Sequence, residues 1–175
     1  MKTKRGLAVV LSIAMILSGS RPVMAAQESE TQISIDSAEE LLKIGTQDDY
    51  PMDGDYVLTE DIDLSGMTFQ PIGGYKGIKG TTDPAGENVF SGTFDGDGHV
   101  ISGMKIDLDG SVEGENQYGQ VGFFSVVAGA SEAERAVVEN LIFTDVDIRT
   151  DFSDGFAAVG SVAGDVNGSA TIQNV

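Results

Sequence analysis

Carboxylates are the side chains of this sequence whose spacing is suited to holding a metal ion. Asp95-Gly96-Asp97-Gly98-His99 places two of them beside the single imidazole of the chain. Farther on, Asp145 and Asp147 would share the outer face of a strand, and two more aspartates follow in the next loop. Calcium takes oxygen ligands from carboxylates, so both groups are candidate calcium sites. The candidate ligands are Asp95, Asp97, Asp145, Asp147, Asp151 and Asp154.

Each group also has a simpler structural interpretation, which the sequence favours. Asp-Gly is a frequent turn between strands, and the later ligands of an EF-hand loop are missing after Asp97. The second group fits the solvated acidic face of a strand. Asp61 and Asp63 begin a similar pattern, but apolar residues alternate with them as in a half-buried strand. We therefore expect no bound cofactor, with a structural calcium ion as the open alternative.

No catalytic centre is expected. The chain has no Cys and one His, which excludes a thiol nucleophile, a zinc-thiolate site and an HExxH metallopeptidase. Neither a G-x-S-x-G nucleophile elbow nor a GK phosphate loop occurs. General acid and base catalysis needs a defined carboxylate pair, and the 28 Asp and Glu residues single out none. Arg135 and Arg149 are predicted to be surface residues.

The start of the chain predicts secretion. Residues 1–25 combine Lys2, Lys4 and Arg5, an apolar run of 11 residues and Ala25 before the cut, as in a secretory signal peptide. That run is shorter than the roughly 20 residues of a spanning helix, so we expect no membrane span after cleavage. We expect a secreted protein or a bacterial cell-surface protein, with a flexible segment at residues 26–32.

The charge excludes one class of partner. The formal net charge is -18, and cleavage after residue 25 would leave 6 Lys and Arg against 28 Asp and Glu, a net charge of -22. Nucleic-acid binding depends on clustered Lys and Arg, so no nucleic-acid partner is expected.

The elements that would position these residues are one helix and many short strands. Ser37 and Glu40 have the spacing of a capping box, and Gly45 is placed to end the helix in a left-handed conformation. This predicts a capping helix near residues 37–45. From residue 56 onward the apolar period is two, and Gly and Asp punctuate the strands, as in a sandwich, a barrel or a solenoid.

Internal repeats favour the solenoid. Segments 100–106, 137–143 and 171–175 superpose as one phrase, with Gly103, Asn140 and Asn174 at offsets of 37 and 34. Segments 121–129 and 159–167 superpose at an offset of 38. Like phrases would then stack into parallel sheets, and Asn140 above Asn174 would form an amide ladder. Chance recurrence of short Val- and Gly-rich phrases is the alternative.

The phrases FSGTFDGDGHVISGMKI and AVGSVAGDVNGSATIQNV, in the order found here, resemble the opening coils of bacterial surface proteins with GLUG repeats. The resemblance runs from about residue 33 to residue 175. It implies an all-β fold, a right-handed parallel β-helix with one short N-terminal capping helix. Such coils serve as stalks or adhesive parts of longer proteins, and in some relatives they precede an immunoglobulin-cleaving metallopeptidase.

We therefore predict a non-catalytic β-helix at residues 33–175 that acts in adhesion, as a stalk, or in binding a glycan, a host protein or a matrix protein. The alternative is the N-terminal portion of a secreted hydrolase, lyase or metallopeptidase whose catalytic part lies elsewhere. Because residue 175 falls within a repeat phrase, we expect the solenoid to be truncated there and its end to pair with missing downstream coils.

Overall fold

The computed structural model describes residues 32–74, 76–77, 89–108, 117–151 and 155–175. The predicted signal peptide and nearly all of the predicted flexible segment lie outside these residues. None of the helices in the described ranges is long and apolar enough to cross a membrane. The elements are β1 (Ile33–Ile35), α1 (Ala38–Leu41), β2 (Asp55–Leu58), β3 (Ile62–Asp63), β4 (Lys76–Gly77), β5 (Val89–Phe90), β6 (Thr93–Asp95), β7 (Val100–Ser102), β8 (Lys105–Leu108), β9 (Gln117–Val121), β10 (Phe124–Gly129), β11 (Ala136–Glu139), β12 (Ile142–Thr144), β13 (Asp147–Thr150), β14 (Gly155–Val159), β15 (Ala163–Gly168) and β16 (Ala170–Gln173).

The described strands form five sheets in which neighbours come from distant parts of the chain. The largest sheet has the order β1-β2-β6-β11-β16, and the others are β15-β10-β5, β12-β7-β3, β13-β8 and β14-β9-β4. Among the described strands every pair is parallel except β4 with β9. The prediction of an all-β fold with parallel sheets is confirmed.

The register of the largest sheet separates an apolar row from a polar row. Ile33, Tyr56, Phe94, Val138 and Ile172 occupy one row across the five strands. The three central members of this row are fully buried, whereas the two at the sheet edges are partly buried. The neighbouring row faces outward and is polar except at Val57; its members are Ser34, Val57, Asp95, Glu139 and Gln173. Alternation along each strand therefore places acids outside and large apolar side chains inside.

Aromatic rings fill much of the core. Phe123 stacks on Phe69 at 5.4 Å between ring centroids and meets Phe94 edge-on at 5.5 Å. Phe124 stacks on Phe90 at 4.4 Å, and Phe90 lies 6.2 Å from Tyr56. These contacts join residues of several sheets into one core, since offset and edge-to-face ring pairs add to the free energy of burial.

The predicted alignment of Gly103, Asn140 and Asn174 is correct for the second pair and wrong for the first. Asn140 and Asn174 do lie on adjacent strand ends, because β11 and β16 pair at an offset of 34. Gly103 does not align with Asn140, since β7 pairs with β12 and brings Gly103 beside Asp145 instead. All four residues have positive φ, so phrases from different corners of the fold look alike in sequence.

The second repeat begins in the predicted register and then shifts. Val121 pairs with Val159 at the predicted offset of 38, whereas Phe124 pairs with Ala163, an offset of 39. The link between β14 and β15 therefore holds one residue more than the link between β9 and β10. Both links begin with Gly, at Gly122 and Gly160, so the repeated letters do not reveal the insertion.

The helix is shorter than predicted, and only its N-terminal cap forms as expected. The α-helix covers Ala38–Leu41, and turns continue to Thr46. Ser37 accepts a hydrogen bond from the Glu40 backbone N–H at 3.4 Å, while the Glu40 carboxylate accepts from the Asp36 backbone N–H at 3.2 Å. The second bond therefore reaches one residue before the one predicted. Gly45 has the expected left-handed conformation, with a φ of 72°, but it does not end the α-helix, whose C-cap is Leu42 in a right-handed conformation.

Candidate functional site

The first predicted metal group forms a hydrogen-bonded turn. One oxygen of Asp95 accepts hydrogen bonds from the Asp97 backbone N–H at 2.9 Å and from the Asn140 side-chain amide at 3.0 Å. Asp97 and Gly98 both have positive φ, as a tight turn between β6 and β7 requires. The two carboxylates therefore shape a corner of the fold.

The second predicted group is spread along a corner and a strand. Asp145 occupies a left-handed position after β12, and both oxygens of Asp147 accept hydrogen bonds from Arg149, at 2.9 and 3.1 Å. Asp151 lies exposed after β13, and Asp154 lies outside the described residues. Within the described ranges, no three His, Asp or Glu side chains converge as a metal site would need. Calcium binding stays the open alternative to the expected absence of a cofactor.

The single His has a partner that sequence reasoning missed. His99 Nδ1 lies 3.1 Å from an oxygen of Asp61, and the same oxygen accepts the Val100 backbone N–H at 2.9 Å. The hydrogen bond from Val100, and next the one with His99, lower the pKa of Asp61. Asp63 also has a lowered pKa because it bonds the hydroxyl and the backbone N–H of Ser65. No sequence signal links residues 38 positions apart in this way.

The predicted Asn ladder is present and is longer than expected. The Asn174 amide donates to the Asn140 side-chain oxygen at 3.1 Å, and the Asn140 amide donates to Asp95 at 3.0 Å. Beside it, Gln173 donates to Glu139. These bonds join β6, β11 and β16 along their outer edge.

A groove on the outer side of the largest sheet brings together residues that sequence reasoning did not connect. We call it the Asp53–Arg135 groove; its volume is about 570 Å³. One bank carries two aspartates, the floor is formed by the segment that leads into β6, and the other bank is the loop that leads into β11. Its lining residues are Asp53, Asp55, Ser91, Gly92, Thr93, Ala130, Ala133, Glu134 and Arg135.

Two glycines allow the banks of the groove to form. A Cβ at Gly92 would lie 2.0 Å from the Gly54 carbonyl oxygen, so only Gly lets the floor approach the first bank. A Cβ at Gly129 would lie 2.1 Å from the Ser169 carbonyl oxygen and 2.6 Å from that of Glu134. The close packing of backbone at both places fixes the separation of the banks.

The first bank is held by a buried tyrosine. The Tyr56 hydroxyl donates to the Pro51 carbonyl oxygen at 2.6 Å, and the ring stacks on Tyr50. Burial, and then the negative charge of Asp53, raise the pKa of Tyr56 well above its usual value. The hydroxyl therefore stays protonated and keeps its hydrogen bond to the turn that carries Asp53.

The second bank is tied to the next strand. Arg135 donates to the Thr171 hydroxyl at 3.0 Å and forms an ion pair with Glu132. The Ser169 hydroxyl donates to Glu132 at 3.2 Å. These contacts join the loop to β16, so the groove wall is supported from two sides.

Comparisons with known proteins leave the family open. No protein-family model matches the chain, and no solved structure matches it. Halomucin from Haloquadratum walsbyi is 32% identical over 149 residues, which cover 83% of this chain but 1% of that protein. The chain is therefore similar to a very short part of Halomucin. The resemblance to GLUG-repeat proteins stays a prediction.

Proposed function

We propose that residues 33–175 form a right-handed parallel β-helix that acts as a non-catalytic module of a secreted or cell-surface protein. The observation that carries this proposal is the continuous parallel register from β1 to β16, with one inward apolar row and one outward polar row. Strands of four other sheets also pair with strands roughly one repeat away, as successive coils would. The handedness follows from the resemblance to GLUG-repeat proteins.

The location is supported by two further observations. The outward rows carry acids and amides, which suit a surface in contact with water. The similarity to a part of Halomucin, a protein named as a mucin, supports placement outside the cell. A rigid sheet surface presents side chains in rows, so many weak contacts with a glycan or protein partner would add together.

Secretion is tested by expressing the full chain and a variant lacking residues 1–25 in a bacterial host. We expect the full chain outside the cytoplasm, accessible to added protease or antibody, and the shortened variant inside. Retention of the full chain in the cytoplasm would contradict the proposed location.

Binding without turnover is tested with the purified secreted chain. Polysaccharides and matrix proteins are immobilised, and retention of the chain is measured beside release of sugar or peptide fragments. We expect retention and no fragments. Fragment release that persists through purification to homogeneity would instead favour a hydrolase, lyase or peptidase.

A further inference from the structure

We propose that the Asp53–Arg135 groove binds a short neutral oligosaccharide. This inference rests on the proposed binding function and names the site and the ligand class. The groove volume of about 570 Å³ lies in the roughly 300–1,000 Å³ range of ligand clefts. The groove is therefore large enough for a ligand of a few sugar rings and much larger than a site for a single ion.

The lining offers both kinds of hydrogen-bonding group. The carboxylates of Asp53, Asp55 and Glu134 accept hydrogen bonds only, whereas the guanidinium of Arg135 donates only. The hydroxyls of Ser91 and Thr93 do both. A ligand that satisfies all of them needs many groups that donate and accept, and sugar hydroxyls are such groups.

The charge of the groove selects against anionic ligands. Three carboxylates line it against one guanidinium, which opposes uronic acids, sulfated sugars and phosphates. Among the described residues, none of these three carboxylates is in an ion pair. A ligand whose charged groups only donate hydrogen bonds would leave the N–H groups of Arg135 without an acceptor. A neutral polyol avoids the repulsion from the carboxylates and can match both kinds of lining group.

The groove is preorganised for such a ligand. Asp55 and Thr93 are register partners on β2 and β6, so their side chains share one face of a hydrogen-bonded sheet. The loop opposite is fixed through Arg135 to Thr171 and through Glu132 to Ser169. The side chain of Arg135 is 40% exposed. Its contacts with Thr171 and Glu132 fix the guanidinium and so the direction of its remaining N–H groups. Less conformational entropy is then lost on binding.

Small residues leave room for sugar rings. Ala130 and Ala133 are exposed in the second bank, and Gly92 lies in the floor. The short side chains of Ala130 and Ala133 do not fill the groove, and their methyl groups can pack on the apolar face of a pyranose ring, while Gly92 has no side chain.

The test measures binding of the full secreted chain to defined probes by titration calorimetry and ligand-observed NMR. The probes are maltotriose, cellotriose, mannotriose and tri-N-acetylchitotriose, with trigalacturonate and trilysine as charged comparisons. We expect at least one neutral trisaccharide to bind, and trigalacturonate not to compete with it. Asp55→Asn and Thr93→Val should each weaken binding about tenfold, because the first replaces a charged acceptor oxygen with an NH2 donor and the second removes a hydroxyl, both with little change of shape.

Glu60→Gln is the matched control, since it removes one exposed carboxylate outside the groove and should leave affinity unchanged. Ala133→Phe fills the groove from an exposed loop position, so it should abolish binding and leave the melting temperature unchanged. It keeps the test informative if a strand variant is unstable.

Three results would overturn the inference. Sugar binding unaffected by all three groove variants would place the glycan elsewhere and leave the proposed binding module intact. Binding of trilysine or trigalacturonate in the groove, with no neutral sugar bound, would replace the ligand class. Failure of every sugar to bind, while the chain still attaches to surfaces, would refute the groove site alone; loss of attachment and of export would refute the proposed function.

Discussion

Left-handed backbone at non-glycine residues occurs at corners between strands. Asp97, Asn140, Asp145 and Asn174 have φ values between 47° and 55°. Asn and Asp tolerate this conformation because their short polar side chains can form local hydrogen bonds. Each follows a strand, so the residue type marks where the chain leaves one sheet for the next.

Asn140 adopts a left-handed backbone conformation and also forms two side-chain hydrogen bonds of the ladder. Two substitutions separate these contributions to stability. Asn140→Gly keeps the positive φ and removes two side-chain hydrogen bonds, with Asp95 and Asn174. We expect a loss of about 1 kcal/mol in the free energy of unfolding. Asn140→Ala removes the same bonds and adds left-handed strain, so it should lose about 1 kcal/mol more. Urea denaturation measures both, and equal stability of the two variants would contradict the backbone role.

Asp61 gives the stability a specific dependence on acid. Its pKa is lowered in the folded chain by its hydrogen bonds with Val100 and His99, so its stabilising effect is present above the usual carboxyl pKa of about 4 and disappears as the pH falls through the lowered value. We expect Asp61→Asn to have a lower melting temperature than the wild type at pH 5, and the difference to disappear toward pH 2. Thermal melting over this range measures it, with Glu60→Gln as the control for loss of one charge. A gap that stays constant with pH would show that the carboxylate is not the cause.

Glycine decides how closely some elements approach. Gly164 of β15 lies against β9, and a Cβ there would be 2.3 Å from the Val121 backbone nitrogen. Gly122 is packed in the same way against Gly160, with 2.6 Å to its carbonyl oxygen. The glycine-rich phrase shared by segments 121–129 and 159–167 therefore reflects backbone packing between adjacent sheets.

Gly164→Ala should destabilise the protein by about 3 kcal/mol, because backbone atoms of β9 must move to admit the methyl group. Gly66→Ala is the control: it has a φ of 82° and no neighbouring atom within 4 Å, so only conformational strain of about 1 kcal/mol is expected. Urea denaturation compares the two. A larger loss at Gly66 would show that strain, and not packing, controls these positions.

At the scale of the whole molecule, the fold brings like charges close together, and their repulsion opposes folding. In the part of the chain that the structure describes, no acidic side chain is buried; Asp95 and Glu139 hold outward positions, while the inward rows are apolar. Parallel stacking brings like charges of neighbouring strands together. Amide partners such as Gln173 and Asn174 relieve part of this repulsion.

Salt should therefore stabilise the protein. Raising NaCl from 10 mM to 1 M shortens the screening length from about 30 Å to about 3 Å, and we expect the melting temperature to rise by about 5 °C. Calcium chloride at equal ionic strength should add nothing further, since the described aspartates do not converge on an ion. An additional rise with calcium would support the candidate ligands Asp95, Asp97, Asp145, Asp147, Asp151 and Asp154. No response to NaCl would contradict the role of charge repulsion.

Local sequence patterns were enough to predict the strands, their inward and outward faces, and the start of the helix. Strand type and the inward and outward faces follow from alternation over a few residues, and the cap of α1 follows from the spacing of Ser37 and Glu40. The adjacency of Asn140 and Asn174 was also readable, because no insertion falls between their strands.

Only the tertiary structure decided the registers and the groove. Paired positions on β6 and β11 are 44 apart and those on β11 and β16 are 34 apart, so loop length, which has no periodic signature, sets which corners meet. That is why Gly103 meets Asp145. The Asp53–Arg135 groove joins segments 82 positions apart in sequence, and its chemistry exists only where parallel pairing brings those segments side by side.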